Sequence, residues 1–428
     1  MDLKKEDKYF DVYPKVLPVG RATRVTVAPL FDHVAVRDDH EYTFELSGME
    51  TYSRNPIVPE RVDGKLLFEV TAPLEEEFVL IMRDRRPNGQ QTTWQFHVYA
   101  VADDLLPLRP WRGDFHLHSC RSDGKESPLF VASAYREAGF DFFALTDHHQ
   151  MPPSLEVVRG MSELETDFRV YPGEEVHPPD NCVHHVNFGG SFSVNDLHRQ
   201  KETYERELAE MEASLDVPYL DASSRRIYAS SCWVFKKIRE AGGISIFCHP
   251  YWVWNERYNV SEALQRAFYE ERRFDALELV SGYYRSQSEQ NSLQLARWIE
   301  ERSKGRRIPV VGISDSHGVS DGQLFNWYYT VVLSRDSEFA SVAEAIRDCR
   351  SVAVNAVPGE AVQAHGEFRY VKYVYFLLRE VLPLHDDECR EEGRLMRRHF
   401  GGDPEAAAGV AACRGRVRRL YGRLFAQG

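Results

Sequence analysis

Residues 113–149, GDFHLHSCRSDGKESPLFVASAYREAGFDFFALTDHH, decide how the chain is read. The stretch opens with His116 and His118, two residues apart. Alternate side chains of a β-strand share one face. A strand DFHLHS therefore sets both imidazoles on one side and Phe115 and Leu117 on the other. Asp123 follows in a Ser-Asp-Gly turn, and a second apolar run ends in Asp147-His148-His149. Between them, Ser127-Pro128 predicts a helix start, with Ser as N-cap and Pro at the first helical position, and Gly139 predicts its stop. Imidazoles and carboxylates gathered at strand ends describe a metal site with nitrogen and oxygen ligands.

The remaining ligands must come from further along the chain, and the strand–helix–strand rhythm does continue. Apolar strand candidates recur at 169–175, 183–188, 244–249, 276–280 and 308–315. With the first two they make seven, and most end in an ionisable residue. Reactive residues at the C-terminal ends of parallel strands mark a β/α barrel. Collected from those ends, the candidates are His116, His118, Asp123, His148, Glu174 or Glu175, His184 or His185, His249, Asp315 and His317. Alternation allows only one of each adjacent pair to face inward. The set contains no cysteine, which suits a multinuclear catalytic centre of Zn, Mn or Fe better than a closed structural zinc site. Asp147 is expected to orient its loop, and Glu278, a lone carboxylate in Ala-Leu-Glu-Leu-Val, to hold a ligand histidine.

Outside this region, residues 1–110 read as short strands at 24–28, 41–46, 66–71, 78–83 and 93–100, with Pro-Asn-Gly at 87–89 as a hairpin turn. They predict a small all-β sandwich, joined by a linker at 103–112. Residues 192–240 form a long insertion with a charged helical stretch at 195–215, read as a solvated surface helix. Residues 358–428 read as a helical extension, with Val417, Leu420, Tyr421 and Leu424 at i, i+3, i+4 and i+7. The expected division is thus 1–110, 111–357 and 358–428.

With 428 residues, 43% apolar and 28% charged, the chain is globular and multidomain. A formal net charge of −13 argues against general binding to nucleic acid backbones. The seven cysteines are scattered, without a C-x-x-C, so neither a disulfide framework nor a thiolate zinc site is expected. No signal-like or membrane-spanning run is visible, and a cytoplasmic protein is expected.

The ordered motifs resemble those of the polymerase and histidinol phosphatase (PHP) metallohydrolases: His116-Leu-His118 with Ser-Asp123-Gly, Thr146-Asp-His148, Gly173-Glu-Glu175, His185-Val186, Cys248-His249-Pro250 and Asp315-Ser-His317. The likeness covers roughly residues 111–355, and its details resemble most the carbaryl-hydrolase-like (CehA/McbA) branch. The resemblance implies an α/β fold with a distorted seven-stranded β/α (TIM-like) barrel. It implies a first metal on His116, His118, Glu175 and Asp315, with Glu175 bridging to a second metal completed by His185 and His249. A third would use Asp123, His148 and His317, although many members have His at the position of Asp123. The Gly-x-Glu spacing selects Glu175 over Glu174, and His185 is taken over His184. His149 and His177 then fall to surrounding or surface positions.

The expected activity is that of a metal-dependent phosphoesterase with two or three divalent ions, hydrolysing a small phosphate ester with a hydroxide activated at the metals. Asp315, Glu175 and His249 are the expected catalytic residues, and Arg121, Lys125 and Arg285 the expected anion contacts. Two other readings use the same residues: a carboxylic ester or carbamate hydrolase, and a metal-binding scaffold without turnover. The expected partner is an anionic small molecule, with no nucleic acid and no membrane, and a homo-oligomer is left open. A proofreading nuclease is not expected, since the chain has no polymerase body and no basic surface.

Overall fold

The computed structural model describes residues 5–320 and 322–426. They divide into two compact units, Met1–Arg109 with Lys372–Glu388 and Gly415–Gly428, and Pro110–Val371 with Cys389–Arg414. The segment after residue 357, expected as a third part, does not stand apart. Its helices are shared between the two units because they carry apolar faces that each unit buries. Tyr373 and Phe376, for example, lie against the Tyr99 ring at 5.0 and 5.4 Å. The four periodic residues of Arg416–Leu424 (Val417, Leu420, Tyr421 and Leu424) are all buried.

The first unit is built from a four-stranded and a five-stranded sheet. In Glu41–Gly48 every second residue is buried, and Tyr42, Phe44 and Leu46 join Phe68, Leu80 and Phe96 in one core supplied by both sheets. Four strands were not foreseen: Phe10–Tyr13, Val16–Pro18, Arg54–Ile57 and Glu60–Val62. The last two are almost wholly exposed and lack the apolar alternation that reveals a strand. Within this unit the buried Lys15 ammonium lies 2.6 Å from Asp7 and 3.1 Å from Glu380.

The second unit holds a six-stranded sheet and a five-stranded sheet. The first runs Arg169–Val170, Phe142–Phe143, Arg109–Asp114, Tyr328–Ser334, Ser351–Asn355, Gln363–His365; the second runs Gly173–Val176, His185–Phe188, Ile244–Phe247, Ala276–Val280, Val310–Gly312. They share a core that includes Phe115, Phe142, Val186, Phe188, Ile246, Val311 and Val332. Seven parallel strands closed into one barrel are not what the hydrogen bonding forms. The expected strand 169–175 is split at Pro172, which has no N–H to give a ladder, and its halves belong to different sheets. Gly173–Val176 and His185–Phe188 pair antiparallel. Outside the ladders, two single bridges, Leu117↔Ser316 and His148↔Glu175, connect residues at the ends of the two sheets.

The insertion is more than a solvated helix. Its helices Val194–His198, Lys201–Ala213 and Ala222–Glu240 bury Val194, Tyr204, Leu208 and Trp233 in a common cluster with Val176. Among the described residues, no helix is long and apolar enough to cross a membrane.

Candidate metal centre

The strand leading into the centre ends at Asp114 rather than continuing through Ser119. From Phe115 the backbone stays hydrogen-bonded but changes partners: Leu117 N–H donates to Thr146 Oγ1 at 2.9 Å and His118 N–H to the Ser316 carbonyl at 2.8 Å. Asp315 N–H donates to the His116 carbonyl at 2.7 Å. His116 and His118 are thereby held with both rings towards Glu175 and Asp315. Gly124 of the Ser-Asp-Gly turn is required here, since a Cβ would come within 2.5 Å of the His118 carbonyl oxygen. Asp147 turns away from the cluster to accept from Ser119 N–H and the Ser119 and Ser122 hydroxyls at 2.5–2.9 Å, which fixes that turn.

Glu175 is the middle of the arrangement. Its Oε2 lies 3.4 Å from His116 Nε2, 3.5 Å from His118 Nε2 and 2.7 Å from His148 Nδ1. Its Oε1 lies 3.4 Å from His177 Nε2, 2.9 Å from His184 Nδ1 and 3.8 Å from His249 Nε2. Glu174 points to the opposite face, where Asn187, Ser193 and Asn195 bond its carboxylate. Asp315 adds a second carboxylate, 2.9 Å from His118 Nε2 and 3.4 Å from His116 Nε2. Asp315 has φ +51° and His249 φ +21°, both in the left-handed region that non-glycine residues rarely occupy and that recurs at functional sites.

Three overlapping groups could each hold a cation: His116, Glu175 and His249; His116, His118 and Asp315; and His118, Asp123, His148 and His317. In the third, Asp123 Oδ2 lies 3.4 Å from both His148 Nε2 and His317 Nε2. The donor atoms fit a metal. His116 Nε2, His249 Nε2 and both Glu175 oxygens are buried without a hydrogen bond of proper geometry, although charged neighbours surround them. Such atoms are costly unless a cation satisfies them.

Two histidines are set for this task by what their other nitrogen does. Glu278 Oε2 accepts from His116 Nδ1 at 2.7 Å, and the Asp315 carbonyl accepts from His317 Nδ1 at 2.8 Å, which leaves each Nε2 lone pair facing the cluster. Cys248, next in sequence to His249, stays a thiol because burial pushes its pKa well above normal. The donor set is therefore imidazole and carboxylate.

The electrostatics show how strongly positive charge is wanted here. Burial alone would raise the Glu175 carboxyl, but the surrounding imidazoles of His148, His177 and His116 hold it well below the usual carboxylate range. Burial would lower His148 and His317, yet Glu175 and Asp123 raise the first to about 11, and Asp123 and Asp315 raise the second to about 9.

His185 is not in this cluster. Strand register explains why: Glu175 faces Val186 across the hairpin and Val176 faces His185, and directly opposed residues share a face. His184, two residues from Val186, therefore points inward with Glu175, while His185 points outward against Phe235 at 5.1 Å with Nδ1 donating to the Val176 carbonyl. Burial pushes the His185 imidazole down to about 3, so it is neutral. His177, two residues past Glu175, shares the inward face and reaches His148 at 3.0 Å, the surrounding rather than the surface position of the two expected for it. His184→Ala is expected to lower the metal content measured by elemental analysis, whereas His185→Ala should leave it unchanged. The reverse pattern would refute this assignment.

Of the expected anion contacts, Arg121 and Arg285 are engaged by carboxylates of their own, while Lys125 lies beside His317. Arg121 forms a bidentate pair with Glu156 at 3.0–3.3 Å. Arg285 binds Glu360 at 2.8 Å and the Pro358 carbonyl at 2.7 Å, lining a separate cavity of about 200 Å³. Lys125 N–H donates to the His317 carbonyl at 2.9 Å, and its side-chain carbons lie beside Gly318. A cleft of about 550 Å³ opens instead over Asp123, His148, His149 and His177, and the arginine in its wall is Arg199. Arg199 donates to the His149 carbonyl at 2.6 Å and to Asp196 at 2.7 Å. It comes from the insertion, where its place in a charged helical stretch gave no sign of this position.

Buried histidines and carboxylates converging from two sheets define a candidate metal centre. No family model matches the chain. Over 98 residues the chain is 34% identical to the DNA polymerase/3'-5' exonuclease PolX of Bacillus subtilis, a match covering 22% of this chain and 16% of that protein's length. Among solved structures, it is similar to a two-domain protein of Bacteroides vulgatus containing a predicted PHP-like metal-dependent phosphoesterase, with 16% identity, a TM-score of 0.37, and 58% and 66% of the two chains covered. It is also similar to an amidohydrolase from Chromobacterium violaceum with bound sulfate and no metal, with 17% identity, a TM-score of 0.32, and 50% and 90% coverage.

Proposed function

We propose that this chain is a metal-dependent hydrolase of the PHP type that cleaves small phosphate esters. The observation that carries the proposal is Glu175, a fully buried carboxylate with six imidazoles around its two oxygens and no hydrogen bond of proper geometry to either. Such a group would be shared by two cations, one held with His116, His118 and Asp315, the other with His184 and His249. Asp123, His148 and His317 offer a third position. Divalent ions, when bound, lower the pKa of water towards neutrality and polarise the oxygens of the group attacked. The chain's own part is to hold those ions and to place the ester. Glu278 keeps His116 in the tautomer that offers Nε2, and Asp315 sets a second carboxylate beside His116 and His118. Arg199, beside the cleft, presents a planar guanidinium suited to phosphate oxygens.

The deciding experiment combines metal analysis with hydrolysis of p-nitrophenyl phosphate, bis-p-nitrophenyl phosphate and p-nitrophenyl acetate after loading with Mn or Zn. At least two ions per chain and turnover of a phosphate ester are expected. Fewer than one ion after reconstitution, or turnover of the acetate alone, would reject the proposal. Arg199→Ala should raise KM for the phosphate ester roughly ten-fold with little change in kcat, the loss of one charge-assisted hydrogen bond in binding. An unchanged KM would leave Arg199 as a tie to His149.

A further inference from the structure

We infer that the hairpin Val253–Trp254/Arg257–Tyr258 recognises a planar aromatic group on the substrate, with Trp254 as its specificity-determining residue. The inference rests on the hydrolase reading and adds the chemistry of the substrate's non-reacting part. The hairpin follows His249 directly, and Tyr251, Trp252, Trp254 and Tyr258 fall within eight residues. Its two-residue turn, Asn255 and Glu256, has φ of +49° and +61°, the paired left-handed geometry of a tight hairpin. In a glutamate that conformation is unfavourable, so the turn is held by its surroundings.

Tyr251 is buried with Tyr258 packed against it at 5.3 Å, but the two indoles do not serve the core. Trp254 is 57% exposed and Tyr258 46%, and neither Trp252 nor Trp254 joins the neighbouring apolar cluster. What Trp254 does touch is Trp252, with ring centroids 5.5 Å apart. Trp252 in turn lies 5.5 Å from the His184 ring and 6.0 Å from that of His249, both beside Glu175. On the cleft side, rings continue from His184 to His177 at 4.1 Å and to His149 at 4.7 Å. A chain of edge-on and tilted ring contacts thus runs from the cleft past the candidate metal centre and ends on the exposed indole.

A substrate whose reacting group sits at Glu175, His184 and His249 extends its remainder along these rings. Indole faces stack with planar rings in offset or edge-on geometry. Arg257 lies directly opposite Trp254 in the hairpin, which disfavours a cationic group there.

The test is a calorimetric titration of the metal-loaded full chain with phenylphosphonate and with cyclohexylphosphonate, which carry the same anion on rings of similar size. The planar ligand should bind about three- to ten-fold more tightly, the contribution of ring stacking beyond contact area. Trp254→Ala should bring the ratio close to one, and Trp254→Phe should retain most of it. A ratio near one in the unaltered protein, or a ratio unmoved by Trp254→Ala, overturns the inference even if phosphate esters are hydrolysed. If neither phosphonate binds and no phosphate ester is turned over, the hydrolase reading falls and the inference falls with it.

Discussion

Glu175→Gln is expected to abolish hydrolysis and to strip the protein of bound metal. The carboxylate stands among imidazoles that would otherwise face one another across a buried space, and both of its oxygens lack hydrogen-bonding partners of proper geometry. An amide keeps the volume but offers one acceptor, and its NH2 group opposes a cation on the other side. Loss of a bridging charge removes several kcal/mol of transition-state stabilisation, roughly a thousand-fold in rate. Elemental analysis should find fewer than half the ions of the unaltered chain, with an unchanged circular dichroism spectrum. Full metal content with full activity would mean that Glu175 is a structural carboxylate.

The second large effect lies in the other unit. Lys15→Ala is expected to destabilise it by about 3–5 kcal/mol, because it removes a buried ammonium that two buried carboxylates share. Asp7 and Glu380 each bond the Lys15 ammonium, and the three side chains are 2–6% exposed. Burial alone would lower the Lys15 pKa, but Glu380 and Asp7 raise it above its ordinary value. A raised folded-state pKa contributes stability that is fully present at neutral pH and is lost only as pH rises through that value. Against a total stability of about 5–15 kcal/mol the loss is large. Thermal or urea unfolding at pH 7 reads it directly, and a change below about 1 kcal/mol would show that the carboxylates become protonated or hydrated instead.

Much of the centre was legible because its chemistry is concentrated in short motifs. The i, i+2 spacing placed His116 and His118 on one side even though the strand stops at Asp114, since the backbone beyond it stays extended by borrowing partners. The choice between His184 and His185 was not legible. Val183 and Val186, an odd number of residues apart, are both buried, so no apolar alternation sets the phase. Only the antiparallel register with Gly173–Val176 sets it, and the seven-strand reading took these segments as parallel neighbours. Arg199 was hidden for another reason: which side of an insertion meets a cleft depends on tertiary packing. Likewise, the helices after residue 357 display their period in sequence but not the unit that buries each face.

The two single bridges of the second unit, Leu117↔Ser316 and His148↔Glu175, carry one more consequence. His116, His118 and His148 extend from one sheet, whereas Glu175, His184, His249 and Asp315 extend from the other. A cation shared by these groups is a rivet through the seam between two independently laddered sheets. Its binding free energy is then also cohesion of the scaffold. Under the proposed function, starvation for metal would act on this protein twice, silencing its chemistry and loosening the join that shapes the cleft.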